Sequence, residues 1–245
     1  MIFKEGIFRK PRLRTNKILK RFSYLFEGDV INVSASSDSD KNCGIIDYYF
    51  GDYDNGQRYK DYFFNAKNYT ISNYLKDKTQ YQINENMIYI DLEEDLPKEL
   101  EGKFDVVYNH TVFEHIFDIF KAFKNLCKLS SDVVIFIVPQ FQRIHDYNRG
   151  YEDYWRFTPF SVDKMFKSNG FQVLYRETTF GFSESMYLFY IASRKPDKWI
   201  GKFPKIKNLK DYITKKNDGI NYFLYSRLII NIDFLIRKIG KIFKK

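Results

Sequence analysis

The chain has 245 residues, 44% of them hydrophobic, and a formal net charge of +9. Such a length and apolar fraction suit one α/β-sized domain with appendages and a packed core. The charge sits at the ends: residues 1–22 carry eight Lys/Arg against one Glu, residues 196–245 carry thirteen basic against four acidic groups, and the stretch between is net acidic, which argues against a nucleic-acid binder.

In chain order, residues 1–27 read as a basic lead-in. Its start, MIFKEGIFRKPRLR, has no signal-peptide apolar core, so a cytoplasmic location is the expectation. Asn16 to Phe26 place Ile18, Leu19, Phe22, Leu25 and Phe26 on one side, which predicts a short helix. Gly28-Asp29 punctuates, and Val30–Ala35 predicts a buried strand. Ser36 to Asp40 is a polar loop, and the turn-rich residues 44–68 give no ordered element. Strands are predicted over Tyr69–Asn73, Met87–Asp91 and Phe104–Asn109. A helix is predicted over Val112–Leu129, where Val112, Ile116, Ile119, Phe120, Phe123 and Leu126 recur at helical spacing. Val133–Val138 is a fifth strand, and Phe160–Asn169 a helix with Ser161 as N-cap and Gly170 as its stop. Phe171–Thr179 and Ser185–Ser193 read as two strands, antiparallel neighbours because no helix separates them. Cys43 and Cys127 form no metal spacing. No apolar run approaches the ~18 residues of a membrane span.

Strands alternate with helices, and the early ones are short apolar runs. That pattern predicts a parallel sheet covered on both faces, with an antiparallel edge. Ligands of such sheets bind outside the carboxyl ends of the strands. Titratable groups gather there: His110, His115 and His145 all lie between Phe104 and Pro159.

The run FDVVYNHTVFEHIFD resembles the fourth strand and following helix of class I S-adenosylmethionine-dependent methyltransferases, and VVIFIVP resembles their fifth strand. HDYNRGYEDYWRFTP is similar to a segment of a subgroup associated with bacterial surface-polysaccharide biosynthesis. The resemblance spans residues 28–195. It implies a Rossmann-like, mostly parallel seven-stranded sheet with an antiparallel edge strand and helices on both faces. It also implies S-adenosylmethionine as cofactor and O-methylation of a sugar or sugar-linked group in capsule or lipooligosaccharide synthesis. The substrate would be a carbohydrate or nucleotide-sugar. A sugar hydroxyl and a phosphate or phosphoramidate oxygen both remain open as acceptor. The NPPY-type motif of nucleic-acid N-methylation is absent.

The chain departs from the family at its first turn. Where a D-x-G-x-G pattern is usual, it has Asn32-Val33-Ser34-Ala35-Ser36-Ser37. The resemblance therefore assigns cofactor contacts to Ser34, Ala35 and Ser36, and to Asn73 in place of an acid after the second strand. It sets Asp91 and Leu92 beside the adenine, and Asn109 and His110 at the methionine end. The glycine-free turn also supports a rival reading, a non-catalytic methyltransferase-fold protein that binds a partner.

On the acceptor side the resemblance gives His145, Asp146 and Asp153 as catalytic candidates. His145 would take the proton of a sugar hydroxyl as the methyl moves. Asp146 and Asp153 are alternative bases or hydroxyl binders, or solvated loop acids. Arg156 offers a donor fork for phosphate, or a salt bridge to Asp153 or Glu152. Tyr154 and Trp155 stack on a sugar or pack as core. The Glu114-His115 pair shapes the pocket in the family. A metal on His110, Glu114 and His115 is not expected, because His115 points ~100° away from Glu114 on a helix.

Residues 196–245 form a basic tail. Ile220–Phe243 repeats apolar residues at helical spacing and ends in cations. Such a helix suits an anionic membrane face, or packing on the domain or on a second copy in a homodimer.

Overall fold

The computed structural model describes residues 11–35, 38, 58–74, 87–142, 144, 152–179, 186–206, 208 and 209. Seven strands among them make one sheet: β1 (Gly28–Asn32), β2 (Ala66–Asn73), β3 (Met87–Tyr89), β4 (Phe104–His110), β5 (Ser130–Phe141), β6 (Gln172–Thr178) and β7 (Met186–Ser193). Their order is β3-β2-β1-β4-β5-β7-β6. β1 to β5 pair in parallel, and β7 runs antiparallel to both β5 and β6. This is the mostly parallel Rossmann-like sheet, with its antiparallel pair at one edge, that the strand pattern and the resemblance call for.

Consecutive residues of the central strands split between two apolar layers, as the two-residue period of a strand requires. Val107, Val134, Phe136 and Val138 pack with α3 (Ile119–Leu129) and α4 (Pro159–Ser168). Val106, Tyr108, Val133, Ile135 and Ile137 pack on the other face with α1 (Pro11–Phe22) and the short α2 (Tyr59–Tyr62). Ile18, Leu19 and Phe22 of α1 are buried against that face. Gly28 opens β1 at φ 81°, and a Cβ there would lie 2.1 Å from Asp105 Oδ2. That carboxylate accepts the N–H of Asp29, so the start of β1 is fixed to β4 by a contact only glycine permits.

Several boundaries differ from the sequence expectations. The first helix starts at Pro11 and ends at Phe22, with a 3₁₀ turn over Ser23–Leu25, instead of spanning Asn16–Phe26. The helix expected from Val112 begins only at Ile119, where Asp118 caps it by accepting the Lys121 N–H at 3.1 Å. Before it, Phe113–His115 form a 3₁₀ turn that drives Phe113 into the core. Phe120, counted on the apolar stripe, is 72% exposed. The N-cap of α4 is Thr158 instead of Ser161. The two side chains exchange bonds with each other's backbone N–H in a reciprocal cap. Among the described residues no helix is long and apolar enough to cross a membrane. The tail helix over Ile220–Phe243 lies outside the described residues, as do most of residues 44–68.

Candidate functional site

The carboxyl ends of β1, β2 and β4 are stitched together by the turn that follows β1. Val33 N–H bonds the Tyr108 carbonyl at 2.8 Å, and Ala35 N–H bonds the Ser72 carbonyl at 2.9 Å. Ser34 N–H bonds Ser72 Oγ at 3.2 Å. Ser34 itself stands at φ 59°, the left-handed region that glycine usually fills. The turn thus keeps a glycine-like backbone without a glycine. Asp38 holds the far side of this loop: its carboxylate accepts from Tyr69 Oη (2.6 Å), Asn32 Nδ2 (3.2 Å) and Lys60 N–H (3.0 Å). Burial first, and the Asp38 charge second, push the Tyr69 phenol well above its ordinary range.

Asn73 ends β2 with its side chain buried and its Oδ1 accepting the Tyr74 N–H at 2.8 Å. Its carbonyl accepts the Ile90 N–H, which carries the chain from β3 towards Asp91. Asp91 Oδ1 accepts the Glu93 N–H at 2.9 Å. The Leu92 side chain belongs to the core, and its carbonyl receives Asn125 Nδ2.

Asn109 is fully buried at the end of β4. Its Nδ2 donates to the Val33 carbonyl at 3.2 Å, while its Oδ1 has no partner. Rotating the amide would set oxygen against oxygen, so the open position is an acceptor.

His110 faces the α1 layer. Its Nε2 lies 2.9 Å from Thr15 Oγ1, and its Nδ1 3.0 Å from Thr111 Oγ1. Thr15 donates its hydroxyl to the Arg12 carbonyl, and Arg12 Nη2 donates to Thr111 Oγ1. These bonds close a ring in one sense: Nε2–H donates to Thr15, and Thr111 O–H donates to Nδ1. The ring is neutral, and burial together with the Arg12 charge holds its pKa well below the ordinary histidine value.

Glu114 is 1% exposed. Its Oε2 has no partner, and Oε1 lies 3.9 Å from His115 Nε2. Burial raises its carboxyl to about 7, against the lowering influence of its own backbone hydrogen bond and of Arg12. Its carbonyl accepts the N–H groups of Tyr154 (2.7 Å) and Trp155 (3.3 Å). The same segment reaches β5, where Phe157 N–H bonds the Pro139 carbonyl and Arg156 Nε bonds the Gln142 carbonyl. Glu152–Phe157 therefore bridges the ends of β4 and β5.

Within that bridge Arg156 forks onto Asp153, Nη1 to Oδ1 at 2.5 Å and Nη2 to Oδ2 at 2.6 Å. The Asp153 side chain is 1% exposed. Of the two roles open for Arg156, the geometry shows the ion pair. Trp155 packs against the core and donates Nε1–H to the Phe117 carbonyl. Tyr154 is exposed, bonds Glu152 through its hydroxyl and sets its ring against Phe117. Ser36, His145 and Asp146 lie outside the described residues.

The structure thus brings Ser34, Ala35, Asn73 and Asn109 to neighbouring strand ends, and Asp153, Tyr154, Trp155 and Arg156 to the next. Sequence reasoning missed the burial of Glu114, the part played by Arg12 and Thr15, and Asp38. Among the described residues no three His, Cys, Asp or Glu gather as a metal-holding group. A groove of about 820 Å³ opens at the opposite end, where β1, β2 and β4 begin, lined by Asp29, Lys60, Phe64, Lys67, Lys103 and Phe104 among others. It includes none of Ser34, Ala35, Asn73 and Asn109, although Lys60 and Tyr69, the partners of Asp38, also line it.

No family model and no curated protein matches the chain. Solved structures do. A protein of Listeria monocytogenes described as an S-adenosylmethionine-dependent methyltransferase aligns at TM-score 0.50 and 12% identity, covering 74% of this chain and 98% of that one. A Haloferax volcanii complex of a methyltransferase activator with a methyltransferase aligns at 0.50 and 11%, covering 75% and 90%. A Burkholderia thailandensis 1,6-didemethyltoxoflavin-N1-methyltransferase, with bound 1,6-didemethyltoxoflavin and S-adenosylhomocysteine, aligns at 0.47 and 13%, covering 74% and 76%. At these identities the two likenesses at TM-score 0.50 show the fold: the chain has the Rossmann-like fold of the class I methyltransferases.

Proposed function

We propose that the chain is an S-adenosylmethionine-dependent methyltransferase acting on an oxygen of a sugar or sugar-linked group. The observation that carries the reading is the turn after β1. Ser34 holds the left-handed backbone that lets a loop approach a cofactor closely. Beside it, the unpartnered Asn109 Oδ1 offers a buried acceptor next to the Val33 carbonyl, which suits an ammonium such as that of the cofactor's methionine. The residues present thus fit the group. When bound, S-adenosylmethionine supplies an electrophilic methyl.

Ser34, Ala35 and Asn109 would hold the methionine end, and Asn73, Asp91 and the Leu92 backbone the adenosine. His110 anchors α1 over the site, because threonine hydroxyls occupy both its ring nitrogens. Glu152–Phe157 shapes the acceptor side, with the Asp153–Arg156 pair as its brace and Tyr154 exposed for stacking. Support for a surface-polysaccharide acceptor comes from the resemblance of HDYNRGYEDYWRFTP.

Calorimetric titration with S-adenosylhomocysteine tests the reading. Binding in the micromolar range is expected, and no heat at millimolar ligand would overturn it.

A further inference from the structure

Among the described residues, and besides Asn109 Oδ1, three buried oxygens just after β4 and at the end of β5 have no hydrogen-bond partner: Glu114 Oε2, Gln140 Oε1 and Gln142 Oε1. Folded proteins pair the large majority of such atoms, and each one left open costs about 1–3 kcal/mol. Two of the three residues, Glu114 and Gln142, are held by one feature. The Glu152–Phe157 bridge is pinned to the Glu114 carbonyl on one side and to the Pro139 and Gln142 carbonyls on the other. Glu114 and Gln142 therefore belong to the frame that carries the acceptor-side residues, and Gln140 follows the pinned Pro139 in β5.

Their chemistry narrows what they receive. An ionised carboxylate only accepts hydrogen bonds, and the two amide oxygens accept as well. The obvious cation of the bridge, Arg156, already spends both Nη atoms on Asp153. A phosphate brought here would meet the Glu114 and Asp153 carboxylates and two amide oxygens. A neutral group rich in O–H would supply the donors those oxygens lack.

We propose that these oxygens bind a neutral polyhydroxylated acceptor, and that Glu114 Oε2 receives the proton of the hydroxyl that becomes methylated. The proposal rests on the methyltransferase reading and chooses a hydroxyl acceptor over a phosphate oxygen. As the acceptor oxygen forms its bond to the methyl carbon, its O–H bond breaks and the proton passes to Glu114. The former C–S bonding pair stays on sulfur, and Glu114 later returns the proton to water. Burial supports this role by raising the Glu114 carboxyl to about 7, where a carboxyl both takes and releases protons at neutral pH. Arg12, Asp153 and Arg156 act on it electrostatically, and His115 stands by its other oxygen.

The test uses the full chain saturated with S-adenosylhomocysteine and saturation-transfer NMR. The probes are methyl α-glucoside, methyl α-galactoside and inorganic phosphate. At least one glycoside is expected to receive saturation, phosphate none, and Glu114→Gln to weaken the glycoside about tenfold. In wild type, a carboxyl-labelled Glu114 should titrate at lower pH when the glycoside is bound, since a hydroxyl donated to the charged form favours it. Phosphate binding in preference to both glycosides, or a Glu114 midpoint indifferent to bound glycoside, overturns the proposal. So does silence from both glycosides while S-adenosylhomocysteine binds, which leaves the methyltransferase reading standing. If S-adenosylhomocysteine itself fails to bind, both fall.

Discussion

Thr15 Oγ1 and His110 Nε2 stand 2.9 Å apart and join α1 to the end of β4 inside the protein. The ring they close with Arg12 and Thr111 holds a neutral imidazole, because burial and the Arg12 charge both disfavour the cation. An unfolded histidine takes its proton near pH ~6.5; the buried one, with its pKa well below that, does not. The unfolded chain then binds more protons, so stability contributed by His110 is lost as pH falls below ~6.5, by up to about 1.4 kcal/mol per pH unit. Glu114 acts in the opposite sense. Its folded carboxyl is raised to about 7 from 4.5, so the folded chain holds more protons in that window and stability is lost as pH rises through it. The two slopes oppose each other in wild type. His110→Gln should melt at higher temperature at pH 5 than at pH 7, and Glu114→Gln the reverse. Melting curves of Glu114→Gln that do not move between pH 5 and 7 would remove His110 from this role.

Ser34 makes the next prediction. Its φ of 59° strains any residue with a Cβ by about 1–2 kcal/mol, and a β-branched one most. Ser34→Gly should raise stability by up to about 1 kcal/mol and leave S-adenosylhomocysteine affinity within about threefold. Ser34→Val should cost about 2 kcal/mol and abolish measurable binding, read by thermal melting and calorimetry. A valine variant as stable as wild type would mean that the turn relaxes to another backbone and the glycine-like argument is wrong.

The Asp153–Arg156 fork predicts non-additive losses. Arg156→Ala leaves Asp153 charged and buried and should cost about 3 kcal/mol. The double variant with Asp153→Ala should cost less than the sum of the singles by at least about 1 kcal/mol. S-adenosylhomocysteine affinity should stay near wild type in all three, because the fork braces the acceptor side. Chemical denaturation of the three variants measures the coupling, and strict additivity would deny the fork its bracing role.

The sheet was legible because its strands are apolar runs bounded by turn residues, a signal that survives without any knowledge of neighbours. Element ends were less so. Nothing in the periodicity of Val112–Leu129 announces that Asp118 will cap a shorter helix, since the apolar spacing continues through the 3₁₀ turn. The cofactor-side residues were readable as strand ends, but their hydrogen-bond state was not. Asn109 is half-satisfied and Leu92 is core because of Val33 and Asn125, partners 76 and 33 positions away. Arg156 shows the same limit. Asp153 and Glu152 were both in reach along the chain, and only the bridge geometry selects Asp153.

The place of β7 governs how the molecule is made. β6 is translated before β7, yet in the sheet it is joined to the rest only through β7, which lies between it and β5. A nascent chain that has emerged as far as Thr178 holds its parallel strands with the β5 edge bare and β6 without its partner. Such an exposed edge invites pairing with another chain. The last strand among the described residues is therefore the one that seals the sheet, so a chain stalled between Thr178 and Met186 should be more aggregation-prone than one that has released β7.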